Sequence, residues 1–188
     1  MSFRVLVIPE DPTHNGYILK PVVERLLAEA GKSNARVQIL TNPKLDGYDD
    51  AVRAIKTELP ERYGFYDLWL FIPDADVAKG LDALEEEVRQ KNIQLICCPA
   101  KPELEAWLLA GYRKELSLNW SAIRTHPRLK EEVFAPFLDK HGDAQAAGSG
   151  REKLMRQALQ NFRGLVEVCP ELGVLLERIQ KLISETGQ

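Results

Sequence analysis

Cysteine, histidine and surplus positive charge are all scarce in this chain, and each scarcity excludes a class of protein. The 188 residues include three Cys and three His, without the spacing of a disulfide framework or a Cys/His zinc site. The adjacent Cys97 and Cys98 lie in an apolar run and are expected in a buried strand, because free cysteine behaves as a small hydrophobic residue. There are 25 basic against 28 acidic side chains, a net charge of −3. This balance argues against a protein that coats nucleic acid through bulk attraction, although it is compatible with a local basic groove.

Long hydrophobic runs are also missing. No stretch approaches the roughly 20 apolar residues that a membrane-spanning helix needs, and the apolar run Arg4–Pro9 is too short for a signal peptide. Apolar residues still make up 45% of the chain and charged residues 28%, which is the composition of a folded domain and not of a disordered chain. The sequence therefore predicts a cytoplasmic protein with no membrane partner.

The first hundred residues alternate between two hydrophobic patterns. Short apolar runs predict strands, and apolar residues three and four positions apart predict the helices between them, with Pro21 in the first turn of the first helix. The predicted strands are 4–9, 36–40, 66–72 and 93–98, and the predicted helices are 17–30, 48–59 and 77–91. Strands that alternate with helices of this length predict right-handed βαβ units around a parallel sheet.

The second half of the chain is predominantly helical by the same criterion. Its predicted helices are 103–112, 133–138, 152–162 and 172–183, with a glycine-rich loop at 141–150 and a weak strand candidate at 165–168. The sequence thus predicts an α/β fold in which about four parallel strands are flanked by helices. We expect residues 1–112 to form this core and residues 113–188 to form an α-helical extension packed on it.

Carboxylates follow three of the four predicted strands. Glu10 follows the first strand, Asp74 and Asp76 follow the third, and Glu105 follows the fourth. Because ligands bind outside the carboxyl ends of parallel strands, we expect these side chains at one edge of the sheet. Each also has a simpler interpretation as a turn residue or a helix-start anion. Together they predict a site for a hard divalent cation, Mg²⁺ or Mn²⁺.

At these residues the chain resembles a known family. Glu10 after the first strand and Asp74-Ala75-Asp76 after the third resemble a Toprim domain. The segment 102–110, Pro-Glu-Leu-Glu-Ala-Trp-Leu-Leu-Ala, is similar to the Glu-x-Trp-Leu-Leu segment of Toprim-like bacterial proteins, the DUF4276 group and the RloB-like proteins. These are distant relatives of OLD-type nuclease domains. The resemblance covers roughly residues 3–112. Toprim motifs usually carry glycine after the first glutamate, where this chain has Asp11-Pro12.

The resemblance implies a Toprim-like fold, which is a Rossmann-type sheet, and a nuclease that hydrolyses phosphodiesters with Mg²⁺ or Mn²⁺. In it Glu10 is general base or metal ligand, Asp74 and Asp76 bind the metal, and Glu105 is a further ligand or a carboxylate that supports the ligands from behind. A lysine commonly contacts the scissile phosphate in such sites, and Lys153 is the candidate, with Lys101 and Lys140 as competitors. The implied substrate is DNA or RNA. The implied partner is an ABC-type ATPase in bacterial phage defence.

Two other functions are compatible with the same residues. In a receiver-like module Asp74 would accept a phosphoryl group and Lys101, after the fourth strand, would assist it. Acetyl phosphate with Mg²⁺ would then leave an acid-labile phosphate on Asp74. Alternatively, a sensor or interaction subunit would keep the Toprim fold without catalysis. The choice between DNA and RNA stays open, as does the oligomeric state, including a homo-oligomer.

Overall fold

A computed structural model describes residues 2–11 and 13–186, and its centre is a four-stranded, all-parallel sheet. The strands lie in the order β2-β1-β3-β4. Their bounds are β1 Arg4–Pro9, β2 Arg36–Ile39, β3 Leu68–Ile72 and β4 Leu95–Cys97. The predicted α/β fold with a parallel sheet flanked by helices is confirmed.

Helices connect the strands and make up most of the chain beyond β4. The α-helices are α1 Gly16–Glu29, α2 Tyr48–Lys56, α3 Leu59–Tyr63, α4 Leu81–Arg89, α5 Glu105–Leu109, α6 Trp120–Ile123, α7 Ala135–His141, α8 Arg151–Ala158, α9 Phe162–Val168 and α10 Pro170–Thr186. Shorter 3₁₀ turns cover Ala110–Glu115, Ala147–Gly150 and Leu159–Asn161, and a π-helical turn covers Lys130–Phe134. Across residues 2–11 and 13–186, no helix combines the length and the apolar character needed to cross a membrane.

The two central strands, β1 and β3, are apolar on both faces because helices cover both faces of the sheet. Val7 and its neighbour Leu70 lie in one hydrophobic cluster, which also contains the buried residues of α1. Ile8 and its neighbour Phe71 lie in the cluster on the opposite face, with the buried residues of α2 and α4. The alternation of side chains along a strand thus divides the core into two layers.

The helices after residue 150 pack against α1 on the first of these faces. Met155 of α8 and Leu172 of α10 belong to the same buried cluster as Val22 and Leu26 of α1. One hydrophobic core therefore contains residues from both 1–112 and 113–188. The boundary at residue 112 stays a prediction.

Three local predictions are wrong, and each has a physical reason. Pro21 lies inside α1 and not in its first turn, because the helix begins earlier, at Gly16. The helix predicted at 77–91 is α4, and it begins only at Leu81. Residues 74–80 form the connection after β3, and Gly80 adopts a left-handed conformation with φ of 64°. Residues 165–168 belong to helix α9. Pro12, where the chain departs from the Toprim pattern, lies outside the described residues.

Polar side chains form hydrogen bonds with the backbone groups at the outer edge of β4. The Glu85 carboxylate of α4 accepts a hydrogen bond from the Cys97 backbone N–H at 2.7 Å. Arg178 of α10 donates to the Cys97 carbonyl at 3.1 Å and to the Glu85 carboxylate at 2.7 Å. An exposed strand edge offers free backbone groups to other chains. Here the two side chains occupy the Cys97 groups and tie α10 to the sheet.

The strand order places a topological switch point between β1 and β3. From β1 the chain passes to β2 on one side, and it then returns to β3 on the other. In open α/β sheets this reversal leaves a crevice at the carboxyl ends of the two strands, where ligands bind. The residues that follow β1 and β3 are therefore the first to consider as a site.

Candidate metal site

Glu10 and Asp74 lie side by side at the switch point. Glu10 comes directly after β1, and Asp74 comes two residues after the end of β3. The Asp74 backbone N–H donates a hydrogen bond to the Glu10 carboxylate, with 3.2 Å between the nitrogen and Oε2. A parallel bridge between Asp74 and Ala100 continues the β3–β4 pairing past the ends of these strands. The sheet itself therefore fixes the spacing of these two carboxylates.

Asp74 lies in a setting that disfavours its charge. Burial, together with repulsion from Glu105 and Glu10, raises the pKa of Asp74 to about 7. One hydrogen bond opposes this change, because the Leu104 backbone N–H donates to Asp74 Oδ1 at 3.1 Å. A carboxyl group with a pKa this high, at the switch point of a parallel sheet, is typical of a functional site. A bound cation would stabilise the ionised form.

Glu105 is the most deeply buried of the predicted ligands, with 3% of its surface exposed. It begins α5, and Leu104, Ala106 and Trp107 beside it are buried in the hydrophobic core. Burial raises the pKa of Glu105, although Lys130 and Arg151 act in the opposite direction. A buried carboxylate needs compensating charge. These two cations supply it.

Asp76 lies at the rim of the site. Asp76 is exposed. The preceding residue is held in place, because the Ala75 N–H donates to the carbonyl oxygens of Ala100 and Pro102 at 2.9 and 3.1 Å. Burial raises the pKa of Glu10 more than the hydrogen bond from Asp74 lowers it, and Asp76 raises it further. The structure thus brings Asp74 into electrostatic range of both Glu10 and Glu105 and places Asp76 near Glu10.

The cations of the site are Lys130 and Arg151. The Lys130 ammonium lies 3.9 Å from the nearest Glu105 carboxylate oxygen and 4.0 Å from that of Asp11. Its backbone N–H donates to the Glu103 carboxylate at 2.9 Å. Lys130 begins the π-helical turn, a feature that often marks functional sites. Arg151 interacts with Glu105 electrostatically from the start of α8.

The lysines predicted from sequence lie elsewhere. Lys153 is exposed and lines a surface cleft of about 480 Å³ together with Arg156 and Gln157. Lys101 and Lys140 are also exposed. Among the described residues, no carboxylate lies within ion-pair distance of these three lysine side chains. The Lys101 side chain forms no ion pair with Asp74 among the described residues, and the receiver-like module stays a prediction.

Sequence reasoning missed Lys130 and Arg151, although both carry a recognisable signal. Each is a cation at the first position of a helical segment, where the positive end of the helix dipole disfavours positive charge. A basic residue in that position indicates a tertiary or ligand interaction that offsets the repulsion. For Arg151 the preceding Gly148-Ser149-Gly150 makes the helix start easy to locate.

The chemistry of these side chains suits a hard cation, but their arrangement is not that of a ready-made cage. All the candidate ligands are carboxylates, which Mg²⁺ and Mn²⁺ accept. Within residues 2–11 and 13–186, no three His, Cys, Asp or Glu side chains are arranged closely enough to hold one ion. Glu10 and Asp74 each commit one oxygen to a backbone N–H. Their remaining oxygens are the ones that would contact a metal, which usually keeps several water ligands.

Comparison with known proteins identifies no relative of the chain. No protein-family model, no curated protein and no solved structure matches the chain. The site and the motifs that resemble a Toprim domain are therefore the features from which a function can be inferred.

Proposed function

We propose that the chain is a nuclease that hydrolyses phosphodiester bonds with Mg²⁺ or Mn²⁺ bound between Glu10 and Asp74. The observation that carries the proposal is the position of these two residues at the switch point of the sheet, where the Asp74 backbone N–H donates a hydrogen bond to the Glu10 carboxylate. A metal bound there would activate water and neutralise charge that develops on the phosphate. Glu10 would hold the metal through the oxygen that the Asp74 N–H leaves free, and buried Glu105 would complete the negative charge of the site.

The raised pKa of Asp74 supports this proposal. A structural carboxylate would be expected to form a close ion pair, as Glu171 does with Arg124 at 2.7 Å. Asp74 instead faces Glu105 and Glu10, and all three groups have raised pKa values. Burial is the main cause for each group, and repulsion from Glu105 and Glu10 adds to it for Asp74. Buried carboxylates of this kind are unfavourable for folding and are typical of sites that bind cations or transfer protons. The site is thus better explained by function than by stability.

The substrate and partner parts of the proposal have different support. The site supports a phosphodiester substrate, because a metal held by carboxylates and the cations nearby would together bind a phosphate group. The net charge of −3 is unusual for a duplex-binding protein, so contact with DNA or RNA would depend on local basic residues. The ABC-type ATPase partner and the role in phage defence rest on the Toprim resemblance alone. A sensor subunit without catalysis is the outcome expected if no substrate is cleaved.

The proposal predicts that Asp74→Asn lowers metal-dependent cleavage at least 100-fold, because it removes one of the two proposed ligands. The measurement is cleavage of end-labelled single- and double-stranded DNA and RNA with Mg²⁺ or Mn²⁺, with EDTA as a blank. Asp82→Asn is the matched control, since Asp82 is an exposed aspartate in the first turn of α4. It should retain the parent rate.

Two results would contradict the proposal in different ways. Equal cleavage by the parent and by Asp74→Asn would show that the activity does not use this site. No metal-dependent cleavage of any of the four substrates by the parent would remove the nuclease assignment and favour the sensor subunit.

A further inference from the structure

Arg151 is buried without the partners that a buried guanidinium normally has. Only 9% of its surface is exposed, and its Nε is enclosed with no hydrogen-bond partner. Its Nη1 donates to the Gly148 carbonyl at 2.8 Å, and its guanidinium carbon lies 5.4 Å from the centre of the Phe134 ring. Buried polar groups are nearly always hydrogen-bonded, so an exception calls for an explanation.

The segment before Arg151 holds it in place at a conformational cost. Gly148, Ser149 and Gly150 all have positive φ, at 63°, 55° and 82°. The conformation is least favourable at Ser149, because a residue with a side chain rarely adopts a positive φ. A Cβ at Gly148 would come within 2.4 Å of the Tyr17 ring, which shows how closely this turn packs on α1. Strain of this kind is commonly maintained at binding sites.

Arg151 lies near the candidate metal site, because α8, which it begins, contacts α5, which begins at Glu105. It interacts electrostatically with Glu105, yet among the described residues the two side chains form neither a hydrogen bond nor an ion pair within 4 Å. Lys130 lies at the outer limit of ion pairing with Glu105, at 3.9 Å. Lys130 is therefore at ion-pair distance from Glu105, whereas Arg151 acts on it from farther away.

We propose that Arg151 and Lys130 form a subsite for a phosphoryl oxyanion beside Glu105. The planar guanidinium suits phosphate oxygens, and the start of α8 adds the positive end of a helix dipole. The subsite deepens the proposed function and rests on it, because a metal at Glu10 and Asp74 would allow an anion to approach so many carboxylates. Anion binding and metal binding are therefore expected to strengthen each other.

A purely structural role is the competing explanation. In that case Arg151 would only offset the charge of Glu105, and no anion would bind. Arg151→Met would then lower stability without changing any binding property. The test therefore reads binding directly and does not depend on activity.

The experiment follows the arginine Nε–H signals of the full chain by ¹H–¹⁵N NMR during titration with inorganic phosphate, with and without Mg²⁺. The Arg151 signal is assigned by its loss in Arg151→Lys. With Mg²⁺ present, we expect this signal to shift saturably, and we expect Arg151→Met to weaken phosphate binding at least tenfold. Arg151→Lys should restore part of the affinity because it keeps the charge. Arg156→Met, at an exposed arginine of the same helix, is the matched control and should bind as the parent does.

The outcomes separate the subsite from the metal site. If Mg²⁺ alone shifts the backbone signals of Asp74 and Glu105 but phosphate leaves Arg151 unmoved, the subsite is wrong and the metal site stands. If phosphate shifts Arg151 equally with and without Mg²⁺, and Mg²⁺ moves nothing, the subsite stands without the proposed function. A second titration, with a phosphorothioate-linked DNA 12-mer, distinguishes a phosphodiester ligand from free phosphate by its greater affinity.

Discussion

Asp74→Asn is expected to raise the free energy of unfolding by about 2–4 kcal/mol at pH 8 in EDTA. The pKa of Asp74 is about 7 in the folded chain, against an ordinary value of 3.8. Between these values the folded state binds more protons than the unfolded state, so the contribution of Asp74 to stability falls as pH rises. Above pH 7 the whole penalty is present. Asparagine removes the charge and retains the oxygen that accepts the Leu104 N–H.

The sign of the pH dependence makes this prediction specific. The advantage of Asp74→Asn over the parent should shrink steadily as pH is lowered from 8 toward 4, because the parent carboxyl becomes protonated. Urea unfolding followed by circular dichroism at several pH values measures it. Asp82→Asn should stay within about 1 kcal/mol of the parent throughout. A parent that is as stable as Asp74→Asn at pH 8 would mean that neither burial nor the neighbouring carboxylates disfavour the charge of Asp74.

Glu171→Ala is expected to lower the free energy of unfolding by about 3–5 kcal/mol. The Glu171 carboxylate receives two hydrogen bonds from the Arg124 guanidinium, at 2.7 and 2.9 Å, and one from Trp107 Nε1 at 2.9 Å. The Arg124 and Glu171 side chains are only 14% and 15% exposed. Removal of the carboxylate leaves a largely buried cation and an indole N–H without acceptors.

The contact also reaches the loop that leads to the site, since Arg124 donates to the Lys101 carbonyl. The measurement is urea unfolding, with Glu167→Ala as the control, because the Arg163–Glu167 pair is exposed on both sides. That control should change stability by less than about 1 kcal/mol. The double variant Arg124→Met/Glu171→Leu should be more stable than Glu171→Ala, because it leaves no unpaired buried charge. A Glu171→Ala chain as stable as the Glu167→Ala chain would contradict this account.

Strands were more predictable than helix boundaries, for a physical reason. The bounds predicted for the first strand agree with β1, Arg4–Pro9, because a buried central strand is an uninterrupted apolar run. The run at 165–168 was too short to distinguish strand from helix by periodicity. It became helical because it continues from Phe162 and packs in the core beside α10. Such tertiary contacts are not written in the local pattern.

The same distinction applies to the candidate site. The positions of Glu10 and Asp74 followed from the rule that parallel strands bring their carboxyl ends to one edge, and the structure places them there. Lys130 and Arg151 come from the helical part, whose packing against the sheet depends on contacts distant in sequence. Lys153, the lysine predicted from sequence, lies on the same helix as Arg151 but on its exposed side. Arg151, two positions earlier, is the residue that faces Glu105.

The most direct test of the central claim is an anomalous difference map from crystals of the chain soaked in Mn²⁺ at pH 8. The account predicts a manganese peak in contact with the carboxylates of both Glu10 and Asp74, and predicts its loss in Asp74→Asn. A well-ordered site without manganese, or manganese confined to surface carboxylates such as Asp49 and Asp82, would contradict it.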